Sequence, residues 1–205
     1  MQSADYERIK SIIGDIYEEN SDFLNDIPVD IFGLARKMGF RLIKASDRVK
    51  IGKEKAKEFV EINANKDIFG YTFFDRKNMQ YVIYYDDLNA GEYKQRFSVA
   101  HEIGHIVLGH IDKGIDNYEE AEKEVNYFAG YILCPDCLST NEEIYKSLRS
   151  DINLMSILFG ISEDTALIKF DHHYNRRFLP EQRFRGYEKN IMNCLEEAVL
   201  TKIRD

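Results

Sequence analysis

Two histidines and a glutamate stand together in the run His101-Glu-Ile-Gly-His105. Residues four apart on a helix are rotated by only about 40° from one another, so both imidazoles can leave one face and bind the same ion. Zinc accepts neutral imidazole nitrogen at about 2.0–2.1 Å, a distance that such a pair can meet. Glu102 lies about 100° further round the helix, where it can act as a general base on a zinc-polarised water. The run therefore predicts a catalytic zinc site that holds one ion per chain.

A catalytic zinc site also needs a third protein ligand, with the fourth position left open for water. His110 is the first candidate, because it follows His105 by five residues. That spacing does not match the HExxHxxGxxH pattern, in which a third histidine completes the site. The sequence therefore argues against His110 as a ligand.

The favoured third ligand is Glu124, on a helix predicted over residues 118–133. It lies on the margin of the apolar stripe of that helix, and a carboxylate beside such a stripe needs a cationic partner, which zinc would be. Two alternatives stay open: Glu124 as a surface residue paired with a nearby cation, and Glu120 as the ligand. Glu119 and Glu122 are expected to point elsewhere.

The elements that must position these residues follow from periodicity and composition. The motif is predicted to lie on a helix over residues 91–108, closed by Gly109, and the helix over residues 118–133 is stopped by Pro135. The other predictions, in chain order, are helices over residues 6–17 and 28–39, a short strand over 40–45, a solvated helix or loop over 50–59, strands over 71–74 and 81–85 joined by a turn at 75–78, and helices from residue 138 onward.

This order predicts an α+β fold, in which a small antiparallel or mixed sheet packs on the helices that carry the motif. We expect residues 1–137 to form the N-terminal helices, the sheet and the catalytic core. Residues 138–205 are expected to form a helical C-terminal subdomain.

Composition narrows the class of protein. The formal net charge of −8 argues against bulk nucleic-acid binding, and no apolar stretch has the length of about 18 residues that a membrane helix needs. The first residues contain no apolar segment typical of a secretory signal. Three cysteines, an odd number, argue against a disulfide framework. We therefore expect a cytoplasmic protein without direct nucleic-acid or membrane partners, of unknown oligomeric state.

Two weaker features have structural alternatives. His172 and His173 could stabilise an oxyanion near the zinc, but neighbours on a helix diverge by about 100°, so at most one would do so, and surface histidines are the favoured interpretation. Cys134 and Cys137 have the CxxC spacing of half a zinc-ribbon site. For this pair too a structural role is favoured over a second metal site or a redox site.

Residues 96–110, followed by Glu124-Val-Asn-Tyr-Phe-Ala and Leu133-Cys-Pro135, resemble the ImmA/IrrE family of zinc metallopeptidases. Residues 27–39 and 154–162 are similar to the lead-in helix and the C-terminal helical segment of that family. The resemblance implies a gluzincin-like architecture with His101, His105 and Glu124 as zinc ligands and Glu102 as the catalytic base. It also implies a bacterial cytoplasmic protein, often encoded by a prophage or mobile element, that cleaves a helix-turn-helix repressor.

The sequence and the resemblance together predict a zinc-dependent endopeptidase specific for a regulatory protein. The substrate strand is expected to pair with the edge of the sheet around residues 71–85. The alternative is a non-proteolytic binding module with a protease-like zinc site that contacts a transcription factor. A DNA-binding regulator is disfavoured, because the second helix of the helix-turn-helix-like segment over residues 151–174 is acidic rather than basic.

Overall fold

The computed structural model describes residues 3–50, 69–113, 117–177 and 186–204. The chain forms two compact units: Ile31–Asn126, and a second unit that combines Met1–Asp30 with Tyr127–Asp205. The boundary that the sequence predicts at residue 137 stays a prediction; in the structure the N-terminal helix belongs to the same compact unit as the C-terminal helices. Within the described part of the chain, no helix is both long and apolar enough to cross a membrane.

A three-stranded sheet lies in the unit Ile31–Asn126. Its strands are β1 (Arg41–Lys44), β2 (Gly70–Asp75) and β3 (Gln80–Tyr85), in the order β1-β3-β2. β1 is parallel to β3, and β2 is antiparallel to β3 from the pair Gly70 and Tyr85 to the pair Asp75 and Gln80. The sheet is therefore mixed, and β2 lies at an edge of the described strands.

The tight turn between β2 and β3 is closed by the side chain of Asp75. Its Oδ1 accepts from the backbone N–H groups of Lys77 at 3.0 Å and Asn78 at 3.3 Å, and its Oδ2 accepts from Asn78 Nδ2 at 2.7 Å. Met79 completes the turn with a φ of 51°. The turn predicted at residues 75–78 is confirmed, and it fixes the register of the edge strand.

The helices of this unit are α2 (Ile31–Lys37), α3 (Ala45–Lys50), α4 (Glu92–Val107), α5 (His110–Lys113) and the first part of α6 (Tyr118–Leu133). The buried side of α4 includes Val99, Ala100 and Ile103, whose spacing is that of one helical face. α4 packs on the sheet through this apolar side. Gly109, with a φ of 80°, separates α4 from α5.

The second unit is helical in the residues described. It contains α1 (Ser3–Glu19), the end of α6, a 3₁₀ helix (Asp136–Thr140), α7 (Glu142–Ser150), α8 (Ile152–Phe159), α9 (Glu163–Arg177) and α10 (Gly186–Arg204). The buried Tyr17 of α1 donates its hydroxyl to the carbonyl of Ile132 at 2.9 Å, which joins α1 to the end of α6. Cys134 and Cys137 are buried and do not form a disulfide.

The predicted α+β class is confirmed, as are the helices around residues 6–17, 91–108 and 118–133 and the strands around residues 40–45, 71–74 and 81–85. The helix predicted over residues 28–39 is shorter than expected, because it begins at Ile31 and ends at Lys37. The segment predicted over residues 50–59 lies, apart from Lys50, outside the described residues.

Candidate metal centre

Helix α4 brings the two histidines of the motif together. His101, which is partly exposed, and His105, which is buried, leave the helix on a common face. The distance between His101 Nε2 and His105 Nε2 is 3.2 Å. The convergence expected from the i, i+4 spacing is therefore present.

Glu122 of α6 lies opposite these two nitrogens. Its Oε2 is 3.4 Å from His101 Nε2, and its Oε1 is 3.5 Å from His105 Nε2. Among the residues described, His101, His105 and Glu122 form a group whose donor atoms lie close enough together to hold one metal ion. The expectation that Glu122 points away from the site is wrong.

The spacing of these donors fits a tetrahedral zinc ion. Ligand atoms at about 2.0–2.1 Å from zinc in a tetrahedral arrangement are separated from one another by about 3.3 Å. His101 Nε2 and His105 Nε2 are 3.2 Å apart, and each lies 3.4 or 3.5 Å from a different oxygen of the Glu122 carboxylate, so these contacts lie close to that value. Two imidazole nitrogens and a carboxylate oxygen are also the donor types that zinc accepts. The residues present therefore fit the metal that the motif predicts.

The protonation of the histidines fits a metal site as well. Burial lowers the pKa of His101, and burial together with the neighbouring His101 and His110 lowers the pKa of His105 to about 4. Both rings are therefore neutral at pH 7, which is the form that binds metal. His101 Nδ1 is 3.1 Å from Asn126 Oδ1, so it can donate to this amide and keep the lone pair of its Nε2 directed at the site.

Glu102 is held beside these ligands in an environment that suits a base. It is 7% exposed, and its Oε2 accepts from the hydroxyl of Thr72 on β2 at 2.7 Å. Burial raises its pKa to about 7; the bond from Thr72 opposes that rise, and the charge of Glu122 adds to it. A carboxylate with a pKa near neutrality can both accept and release a proton at physiological pH.

Gly70 allows the edge strand to approach this carboxylate closely. A Cβ at this position would lie 3.2 Å from the carbonyl oxygen of Tyr84 and 3.3 Å from Glu102 Cγ. Glycine is therefore the residue that lets β2 cover Glu102 without displacing it.

A cavity of about 520 Å³ opens onto the site. It is lined by the candidate ligands and Glu102, by Gly70 and Thr72 of β2, and by a set of larger apolar and aromatic side chains: Phe69, Tyr71, Phe97, Ile111 and Tyr118. Its size and its mixture of apolar walls with convergent polar groups are typical of a ligand-binding cleft.

Glu124, the ligand favoured by the sequence, is not a member of the group of three. Its Oε2 lies 3.0 Å from His110 Nε2, and His110 Nδ1 lies 3.2 Å from His105 Nδ1. Residues two apart on a helix point about 200° apart, so Glu122 and Glu124 occupy opposite margins of the apolar stripe that contains Val125. The signal that could have selected Glu122 is Asn126, four residues later on the same margin, which supports His101.

The two histidines considered as oxyanion stabilisers lie in the second unit. The ring of His172 is 6.5 Å from that of Tyr127, and burial lowers its pKa. The side chain of His173 lies outside what the structure describes. Their proposed role stays a prediction.

The site has the features of the HExxH metallopeptidase class. These are two histidines and a glutamate on one helix, a second carboxylate on the next described long helix, and an open cleft beside them. A family model described as the IrrE N-terminal-like domain, peptidase M78, matches residues 57–171. The chain therefore belongs to this ImmA/IrrE peptidase family. No curated protein matches it.

Proposed function

We propose that the protein is a zinc-dependent endopeptidase in which His101, His105 and Glu122 hold one zinc ion. The observation that carries this proposal is the convergence of the two imidazole nitrogens, 3.2 Å apart, on the two oxygens of Glu122 at 3.4 and 3.5 Å, beside the buried Glu102. Three protein ligands are the number used by catalytic zinc sites, whereas structural sites use four. The three candidate ligands found among the described residues therefore favour an enzyme over the alternative of a binding module with a structural metal.

When bound, zinc supplies Lewis-acid polarisation of the scissile carbonyl and makes water more acidic. Glu102 then moves the proton. Thr72 occupies Oε2, which leaves Oε1 to accept a proton from the attacking water. As the carbon–nitrogen bond breaks, Glu102 returns that proton to the leaving amine and its carboxylate is regenerated.

The substrate is proposed to bind as an extended segment beside β2. Within the described residues β2 pairs with β3 along one edge, and Thr72 and Gly70 of the same strand contact Glu102. A peptide that extends the sheet next to β2 would therefore run past the base and across the cleft. Because only an extended segment can pair in this way, we expect cleavage in a linker or a locally unfolded region of the target.

We further propose that the target is a helix-turn-helix repressor in the bacterial cytoplasm, whose cleavage relieves repression. This part rests on the family to which the chain belongs. The net charge of −8 agrees with a protein that acts on the repressor rather than on the DNA.

Two variants test the two proposed roles separately: Glu102→Gln tests the base, and Glu122→Gln tests the metal ligand. The purified zinc-loaded protein is incubated with a helix-turn-helix repressor from the same genome, and fragments are identified by mass spectrometry. We expect two fragments with the wild type. Glu102→Gln should retain zinc and produce no fragments, and Glu122→Gln should lose zinc affinity by more than tenfold.

The results that would contradict the proposal are equally specific. Cleavage by Glu102→Gln at the wild-type rate would remove Glu102 as the base. A wild-type protein that is fully loaded with zinc and inactivates the repressor without producing fragments would favour the binding module.

A further inference from the structure

A chain of three polar side chains leads away from the candidate metal site. His105 of α4 faces His110 of α5 through their Nδ1 atoms at 3.2 Å, and His110 faces Glu124 of α6 from Nε2 to Oε2 at 3.0 Å. The three side chains are each less than 15% exposed. The chain thus links three separate helices; His105 lines the cleft, whereas His110 and Glu124 lie behind it and are not among its lining residues.

The position of the hydrogen on each ring of this hydrogen-bonded chain follows from the carboxylate of Glu124 at its outer end. A carboxylate only accepts hydrogen bonds, so the nitrogen of His110 that faces Glu124 must carry hydrogen. A neutral His110 then has a lone pair on Nδ1, which accepts a hydrogen from His105 Nδ1. This leaves the lone pair of His105 on Nε2, the atom that lies 3.2 Å from His101 Nε2 and 3.5 Å from Glu122.

The opposite arrangement is disfavoured. If His110 donated from Nδ1 while neutral, its Nε2 lone pair would face the Glu124 carboxylate at 3.0 Å, where two acceptors repel. His105 would then carry its hydrogen on Nε2 and could not bind a metal. Only one of the two neutral tautomer assignments satisfies every contact in the chain.

We infer that Glu124 and His110 are positioning residues that hold His105 as the Nδ1–H tautomer and direct its Nε2 to the metal. The inference deepens the proposed function, because it assigns the outer partner of one ligand. His101 has such a partner in Asn126, and Glu124 supplies the equivalent for His105 through one intervening ring. Outer partners of this kind typically change metal affinity by about 10- to 100-fold when removed.

The first measurement needs no variant. Ring-nitrogen NMR of the zinc-bound protein should find His105 protonated on Nδ1 and His110 protonated on Nε2. A hydrogen on His105 Nε2, or on His110 Nδ1, would overturn the inference. This readout does not depend on cleavage, so it remains informative even if the protein proves not to be a peptidase.

The second measurement is zinc affinity by competition with a chelator. Glu124→Gln keeps the shape of the side chain but replaces a carboxylate, which only accepts hydrogen bonds, with an amide that can also donate to His110 Nε2 and so release its tautomer; we expect affinity to fall by about tenfold or more. Glu119→Gln makes the same change at an exposed position of the same helix and should leave affinity within twofold. Equal affinities of Glu124→Gln and the wild type would refute the positioning role.

A rescue separates positioning from a merely structural effect. An asparagine places its amide close to where the Nδ1 of a histidine lies, so His110→Asn offers Oδ1 directly to His105 and no longer needs Glu124. We expect Glu124→Gln to weaken zinc binding in the wild type but to have no further effect in the H110N background. An undiminished loss in that background would show that Glu124 acts by charge or folding and would overturn the inference. Circular dichroism checks that each variant is folded.

Discussion

Replacing Gly70 with alanine tests whether the close approach of the edge strand sets the position of the catalytic base. The added Cβ would lie 3.3 Å from Glu102 Cγ and 3.2 Å from the carbonyl oxygen of Tyr84, whereas carbon atoms pack best at about 3.5–4.0 Å. Tyr84 belongs to the central strand β3, which is paired on both sides. Its carbonyl cannot move alone, so we expect Glu102 to move by a few tenths of an ångström.

The expected magnitude follows from this crowding. Overpacking of a well-packed site costs about 1–3 kcal/mol, and each kcal/mol lowers the melting temperature of a chain of this size by about 2–4 °C. A displacement of about 1 Å costs roughly a hundredfold in rate, so a smaller shift of Glu102 should slow cleavage by roughly tenfold. Zinc affinity should stay within twofold, because the ligands are not touched.

The matched control is Gly186→Ala, at the first residue of α10. Among the described residues a Cβ there meets nothing within 4 Å, and alanine stabilises a helix relative to glycine by up to about 1 kcal/mol. We expect its melting temperature to stay level or rise and its activity to match the wild type. The assays are calorimetry of the zinc-loaded protein and single-turnover cleavage of the repressor. If Gly70→Ala is as stable and as active as Gly186→Ala, the argument from close approach fails.

Two further predictions concern the base and the second unit. The hydroxyl of Thr72 donates to Glu102 Oε2 at 2.7 Å and lowers the pKa of that carboxyl. Thr72→Val removes this bond, so the pKa of Glu102 rises and more of the carboxyl is protonated at pH 7. We expect roughly tenfold slower cleavage with zinc affinity unchanged, and Thr72→Ser should restore the rate. Fast cleavage by Thr72→Val would contradict the role of this bond. Gly14→Ala would place a Cβ 2.8 Å from Tyr187 Cα and 2.9 Å from its carbonyl oxygen, so we expect a loss of about 2 kcal/mol or more despite the better helix propensity. An unchanged thermal unfolding midpoint would show that α1 and α10 can separate without cost.

Local patterns predicted most of the elements. The helix that carries His101 and His105 and the hairpin around Asp75 follow from spacing, side-chain type and turn chemistry, which act over a few residues. These features do not depend on how distant segments meet. They could therefore be derived before any fold was known.

The third candidate ligand could not be derived in the same way. Glu122 and Glu124 flank one apolar stripe, and helical periodicity places both beside the core, so it does not distinguish between them. Which margin faces His101 and His105 depends on the rotation of α6 relative to α4, a property of tertiary packing. The parallel pairing of β1 with β3, and the joining of α1 to the C-terminal helices, are non-local for the same reason.

The two margins of α6 have complementary chemical consequences. Two neutral imidazoles and the carboxylate of Glu122 bring one negative charge to a divalent ion, which keeps a positive charge and hence its Lewis acidity. A second carboxylate bound directly would cancel that charge. In the proposed arrangement Glu124 acts through His110 and makes His105 Nε2 a better electron-pair donor to the metal, without adding an anionic ligand. The separation of the two glutamates by one intervening residue thus lets a single helix supply both the anionic ligand and the outer partner of a neutral one.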